Sequence, residues 1–195
     1  MGLTKLNFSG SGQGAVTNSL PTGSIVKTEF AEIDTFGRTS LSTSSNTDIP
    51  GTEKSFTRVF SDSKILVHLN MRWNTYLYGL MYMNRKIGSG SYAQINLGAT
   101  GTQGGVTSSG GVLANHYNNT SANAMGYGLH SELYAFLDNP GTSTDAITYK
   151  ISAFSYNATG VFGLNTNASY NSASGYHTTK CGYTFYEIKQ WWQNN

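Results

Sequence analysis

The chain has 195 residues and a net charge of +2, and charged residues make up 11% of it, against about 25% in an ordinary globular domain. Its basic residues form no run, which argues against a nucleic-acid partner. No apolar run is long enough to cross a bilayer as a helix, so we expect no membrane insertion.

Turn-forming polar residues dominate the composition: Gly, Ser, Thr and Asn together supply nearly half of the chain. Ser and Asn compete with helix hydrogen bonding, and all four residue types favour turns or strand ends. Aromatic residues make up 13%, including 13 Tyr, which separates this chain from disordered sequences. The composition predicts an all-β protein of many short strands joined by turns.

The first 23 residues differ from the rest. Residues 9–14 are a Gly/Ser-rich flexible tract, and residues 21–23 contain the Pro and Gly that end it. Such a segment is either a disordered tail or an attachment arm. We therefore divide the chain into a flexible N-terminal arm, 1–23, and a β-sandwich domain, 24–195.

Alternating apolar residues predict the strands that follow. The clearest case is residues 65–73, where Val67, Leu69, Met71 and Trp73 share one face. Turns are expected over residues 84–88 and 139–141. The predicted strands are residues 25–33, 54–60, 65–73, 76–83, 129–137, 146–156, 161–164 and 183–188. Several short strands with turns between them indicate a sandwich or barrel.

Three segments are less regular. Residues 88–128 should hold one or two short strands and exposed loops, because a structureless stretch of this length is unusual in a compact domain. Residues 77–83 are apolar on both faces, which fits either a strand buried on both sides or a contact between copies. Residues 187–192 have room for one helical turn, and Trp191 and Trp192 are expected to be buried.

No recognised catalytic or metal-binding spacing occurs. Cys181 has no partner for a disulfide and is expected to be a small buried residue. No nucleophile elbow or phosphate-binding loop is present, and none of the histidines forms a known metal pair: His68, His116, His130 and His177. His68 and His130 lie in predicted strands and should face away from the apolar side. We expect no metal, no cofactor and no enzymatic activity. The alternative hypothesis is a glycan-degrading enzyme.

Aromatic residues in polar loops are the best candidates for ligand contact. Tyrosines among Gly, Ser and Asn combine large rigid surfaces with adaptable hydrogen bonding. The alternative is that they pack at sandwich edges or between subunits. The candidate contact residues are Tyr92, His116, Tyr117, Tyr170, Tyr176 and His177.

Several short motifs follow one another in a family-like order: residues 63–67, the apolar run 77–83, residues 136–143, residues 148–151 and the closing residues 185–188. In this order they resemble the sandwich domains at the tips of tail fibres in tailed bacteriophages, especially cyanophage-like ones, over residues 24–190.

The resemblance implies a jelly-roll-like antiparallel β-sandwich, a homotrimer, exposed on the virion after synthesis in the host cytoplasm. It implies a short tail fibre or receptor-binding tip that contacts a host surface polysaccharide or protein, with residues 1–23 bound to another virion protein. Because about two dozen residues precede the domain, a short fibre or a knob is expected rather than a long shaft. A capsid decoration, head-fibre or tail-connector protein without host contact is the alternative.

Overall fold

Fourteen strands and no helix form the part of the chain that the computed structural model describes, which is residues 23–76, 79–97, 101–103, 106–108, 112–116, 130–155, 160–165 and 181–190. The all-β prediction is therefore confirmed. The strands are β1 (Ile25–Ile33), β2 (Gly37–Leu41), β3 (Thr47–Asp48), β4 (Lys54–Phe56), β5 (Lys64–Tyr76), β6 (Gly79–Ile87), β7 (Ala93–Gln94), β8 (Gly101–Gln103), β9 (Val106–Ser108), β10 (Val112–His116), β11 (His130–Asp138), β12 (Ile147–Ser155), β13 (Gly160–Leu164) and β14 (Cys181–Ile188). Residues 1–22 of the expected arm, and Trp191 and Trp192, lie outside the described ranges.

Two six-stranded sheets contain all but two of these strands, and every pairing is antiparallel. In the first sheet β5 is central. On one side, β5 pairs with β14 and, further along, with β13. Strand β14 pairs in turn with β1, and β13 pairs with β2. On its other side, β5 pairs with β11. In the second sheet β12 and β6 are central, with β3 and β4 beside β12 and with β10 and β7 beside β6. A separate pair joins β8 to β9.

The inner faces of the two sheets form one hydrophobic core. Phe185 of β14 contacts Phe56 of β4 and Tyr149 of β12, with ring centroids 5.3 and 5.4 Å apart. Trp73 stacks on Phe162 at 5.6 Å. The predicted alternation in β5 is confirmed, because its odd-numbered apolar residues are all buried: Ile65, Val67, Leu69, Met71 and Trp73. Aromatic contacts between the sheets make the fold a β-sandwich.

Strand β6 continues through a segment for which the sequence predicted a turn. Asn84 and Arg85 stay in the strand because both find partners there. The Asn84 amide donates to Ser152 Oγ at 2.8 Å, and Arg85 Nη1 donates to Asp138 Oδ1 at 2.5 Å. The turn comes at Gly88, whose φ of 55° favours glycine. Polar side chains alone therefore did not mark the end of this strand.

Other boundaries also differ from the predictions. Residues 57–60 leave the strand that begins at Lys54, whereas the predicted strand over residues 183–188 is confirmed within β14 and leaves no helical turn at residues 187–188. The described part of residues 88–128 contains four short strands, β7 to β10, where one or two were predicted for the segment. Most of these are two or three residues long, which is too short to show a period in the sequence. The predicted turn at residues 139–141 is confirmed, with Gly141 at a φ of 78°.

Two buried tyrosines of the core differ in their hydrogen bonding. Tyr149 Oη donates to Asp138 Oδ2 at 2.8 Å, whereas the buried Tyr183 hydroxyl has no hydrogen-bond partner among the described residues. A buried polar group without a partner costs about 1–3 kcal/mol, and a hydrogen bond to a charged group contributes about 1.5–3 kcal/mol. The two hydroxyls therefore act on stability in opposite directions.

Replacing Tyr183 by Phe should raise the free energy of unfolding by about 1 kcal/mol, and Tyr149→Phe should lower it by about 2 kcal/mol. Urea denaturation at neutral pH measures both changes. The two substitutions remove the same atom, so each serves as the control for the other. Equal effects of the same sign would contradict this account of the core.

Candidate binding and assembly surfaces

The sequence-predicted contact residues are only partly described by the structure. Tyr92 lies just before β7, and His116 ends β10, where its backbone pairs with Gly79. Because β7 pairs with β6 near Arg85, the two residues lie about 20 Å apart along β6. They therefore do not form one site. The other candidates lie outside the described residues: Tyr117, Tyr170, Tyr176 and His177.

Tyr92 is at the centre of a charged surface on the outer side of the second sheet, which we call the Tyr92 surface: Tyr92, Lys86, Lys150, Glu53 and Asp48. The ammonium groups of Lys86 and Lys150 lie 4.8 and 3.9 Å from the centre of the Tyr92 ring. Each lysine also contacts a carboxylate, Lys86 that of Glu53 at 3.4 Å and Lys150 that of Asp48 at 2.5 Å. Two ion pairs thus flank one aromatic ring.

The strands explain how these groups meet. Lys86 of β6 lies opposite Thr148 of β12, so Lys86 and Lys150 are diagonal neighbours on one face of the sheet. Tyr92 is half-buried, and its hydroxyl is a buried atom beside the Glu53 carboxylate. Burial and the nearby Glu53 carboxylate raise the pKa of this phenol, so it stays neutral at physiological pH. Aromatic carbon with charged donors and acceptors around it suits a polar ligand such as a sugar.

A second surface is apolar, and the sequence did not predict it. We call it the apolar face: the outward side of β1, β14, β5 and β11. Of the six exposed large hydrophobic residues in the described ranges, four lie on it, and each is 54–65% accessible: Ile25, Phe30, Leu133 and Leu137. Apolar side chains that cluster on one face mark interaction sites more often than scattered ones do.

The strand register aligns these residues in rows. Leu137 lies across from Leu66, which lies across from Tyr186. Further along, Phe30 lies across from Thr184 and its ring lies over Gly182, where an added Cβ would come within 2.7 Å of the ring. Glycine at position 182 therefore leaves room for the exposed phenylalanine to lie flat on the sheet.

The orientation of β11 explains why the sequence did not reveal this face. Leu133 and Leu137 point outwards, whereas Tyr134 and Phe136 point into the sandwich. Phe136 packs against the Tyr149 ring at 6.5 Å, and Trp73 Nε1 donates to Tyr134 Oη at 3.1 Å. The only signal in the sequence of β11 was that apolar residues occur at both odd and even positions, so that one of the two sets faces outwards.

Three further sequence predictions have outcomes here. His68 lies on the outward side of β5, beside Tyr186 at 5.1 Å between ring centroids, as predicted. His130 was predicted to face away from the apolar side, and this is wrong, because it shares a face with Trp73 at 5.6 Å. Cys181 is buried, as predicted, and its thiol contacts Asn165 Oδ1 at 2.6 Å.

The apolar run at residues 77–83 is also explained. Leu80 and Met83 are buried on opposite faces of β6, a central strand of the second sheet. The described part of this run is therefore buried within one chain and gives no support for a contact between copies.

The described ranges contain a cavity that can be compared with common ligand pockets. A cavity of about 170 Å³ is bordered by Phe36, Arg38, Ile49 and Leu164, which is smaller than the roughly 300–1,000 Å³ of common ligand pockets. No group of three or more His, Cys, Asp or Glu side chains is placed to hold a metal ion within these ranges. No helix among the described residues has the length and hydropathy needed to cross a membrane.

No protein-family model matches this chain, and no curated protein matches it either.

Proposed function

We propose that this chain is a virion structural protein of a tailed bacteriophage, a short tail fibre or receptor-binding tip that recognises the host cell surface. The observation that carries the proposal is the apolar face, which places exposed hydrophobic residues on the outward side of a sheet in a chain with few charged residues. Such a face suits a protein that works in an assembly. The order of short motifs along the chain gives the phage assignment.

Host contact is assigned to the side of the molecule away from the apolar face. The Tyr92 surface lies on the outer side of the second sheet, so it would stay accessible when the apolar face is covered. Lys86, Lys150, Glu53 and Asp48 offer both donors and acceptors to sugar hydroxyls around the Tyr92 ring. Several such weak sites on one particle would give useful avidity.

Binding of the purified, fluorescently labelled chain to host cells tests this proposal. We expect saturable labelling that isolated host polysaccharide or surface protein competes away. Tyr92→Ala should weaken binding about tenfold, which corresponds to about 1.4 kcal/mol for one lost aromatic contact. Phe36→Ala is the matched control, because Phe36 is 60% exposed and lies outside both surfaces. Failure of folded, assembled protein to label any susceptible host would overturn the host-contact role.

The absence of enzymatic activity is part of the same proposal. Incubation with host polysaccharide should release no new reducing ends, since a binding tip needs no hydrolysis. Reducing ends that increase with time and enzyme concentration would assign the chain to glycan degradation instead.

A further inference from the structure

The two ion pairs of the Tyr92 surface expose their acids more than their amines. The side chain of Lys86 is 28% exposed, and that of its partner Glu53 is 54% exposed. In the second pair, the side chain of Lys150 is 16% exposed, and that of Asp48 is 63% exposed. Lysine usually extends its charged end into water. Here the carboxylates are the more accessible charged groups, so a ligand on this surface meets acids first.

The Tyr92 ring holds the amines back from solvent. The ammonium groups of Lys150 and Lys86 lie 3.9 and 4.8 Å from the ring centre, within the distance of about 6 Å at which a cation is attracted to an aromatic face. The same two groups contact the carboxylates of Asp48 and Glu53. An ammonium group has only three N–H donors. The ring and the carboxylate together therefore leave little of each amine to pair with an anion of a ligand.

The two carboxylates offer more acceptor sites than the lysines use. An ionised carboxylate has two oxygens with about four lone-pair sites, and the lysines contact one oxygen of each acid, Glu53 Oε1 and Asp48 Oδ2. Sugar hydroxyl groups can donate to such oxygens in charge-assisted hydrogen bonds. A carboxylate or sulfate group of a ligand has no proton to donate at neutral pH, and both acids would repel it.

We infer that the Tyr92 surface binds neutral, hydroxyl-rich sugars and discriminates against acidic polysaccharides. This inference rests on the proposed host-contact function and specifies the class of its ligand. The two amines and the two carboxylates of the surface balance in charge, so they give a polyanion no net attraction. The exposed acids supply the repulsive element that separates similar ligands when their attractive contacts are alike.

Two forms of one polysaccharide test this ligand class. The probe is the neutral fraction of the host surface polysaccharide, before and after oxidation of its primary hydroxyl groups to carboxylates. The purified chain should bind the neutral form about tenfold more tightly at low ionic strength, as expected for one or two like-charge contacts near water. The difference should shrink in 1 M salt, where charges are screened beyond about 3 Å.

Removing the two acids should remove the preference. Asp48→Asn with Glu53→Gln leaves the two lysines without carboxylate partners, so the preference for the neutral form should fall to about twofold or less. Glu29→Gln with Asp34→Asn is the matched control, because it changes the net charge equally at carboxylates outside the Tyr92 surface, on β1 and directly after it. The control should keep the wild-type preference. Unchanged urea midpoints will show that both double variants fold.

Equal or tighter binding of the oxidised form by the wild type would overturn the inference and leave the host-contact role standing. A control variant that loses the preference as fully as the test variant would also overturn it, because net charge rather than the Tyr92 surface would then decide. Labelling of host cells without binding to either form would overturn it in favour of a protein receptor. Absence of labelling on every susceptible host would remove the host-contact role and this inference with it.

Discussion

Replacing Glu187 by Gln is expected to lower the free energy of unfolding by about 3–5 kcal/mol, because hydrogen bonds to a charged group contribute about 1.5–3 kcal/mol each. Glu187 lies on β14 and is completely buried. Its carboxylate accepts hydrogen bonds from the backbone N–H groups of Val59 and Phe60, both at 2.8 Å, and from Ser63 Oγ at 2.6 Å. An amide in this place would turn its own N–H₂ group towards at least one of these donors.

The Glu187 carboxylate thereby attaches the segment after β4 to the last strand of the first sheet. Arg58 lies in the same segment, is also buried, and donates to Ser63 O at 2.6 Å. Loss of the carboxylate would also remove the strongest electrostatic stabilisation of the Arg58 positive charge by a neighbouring group, and a buried charge that loses its compensation is destabilising.

Urea denaturation measures the effect of Glu187→Gln. Glu53→Gln is the matched control, because the Glu53 side chain is 54% exposed and its contact with Lys86 is a surface ion pair, for which about 0–1 kcal/mol is expected. A Glu187→Gln variant as stable as the control would contradict the role assigned to this carboxylate.

Alkaline pH is expected to destabilise the chain steeply above pH 10, by about 2.7 kcal/mol per pH unit for two buried phenols. Burial raises the pKa of both Tyr149 and Tyr183 in the folded chain, and the Asp138 carboxylate adds to the effect on Tyr149. In the unfolded chain both phenols titrate near pH 10. The folded state therefore holds more protons above that pH, and stability falls as pH rises.

The buried thiol of Cys181 acts in the same direction. Burial raises its pKa in the folded chain, so its contribution begins to be lost near the unfolded thiol pKa of about 8.5. By pH 12 the two phenols alone would remove about 5 kcal/mol, comparable to the whole stability of many domains.

Unfolding free energies from urea titrations between pH 7 and pH 11.5 test this dependence. Tyr149→Phe and Tyr183→Phe should each remove about 1.4 kcal/mol per pH unit from the slope above pH 10. Stability that stays constant from pH 8 to pH 11.5 would show that these phenols are not buried as described.

The strands that the sequence predicted well are those with one apolar face. In β5, Val67 and Leu69 alternate with His68 and Asn70, so burial of one side fixes the orientation of the strand. In β11 both faces carry apolar residues, and the alternation does not decide which face is buried. Tyr134 and Phe136 point inwards because they contact Trp73 and Tyr149, respectively, inside the sandwich. These contacts depend on the tertiary structure.

The candidate surfaces show the same limit. Tyr92 was predicted as a contact residue from its polar surroundings, but its neighbours Lys86 and Lys150 come from strands that are distant in sequence and adjacent in space. The apolar face was missed because its residues come from four strands. Leu133 and Phe30 are separated by about half of the chain and share a face only through the register of β5 and β14.

Location in the particle is the most direct test of the claim that this chain is a host-contacting virion protein. If the proposal is right, antibodies against the purified chain should carry immunogold to the tail tips of intact particles of the proposed phage. Gold over the capsid instead would contradict host contact and support a decoration role. Particles that carry no gold, although the antibodies recognise the purified chain, would contradict the virion assignment itself.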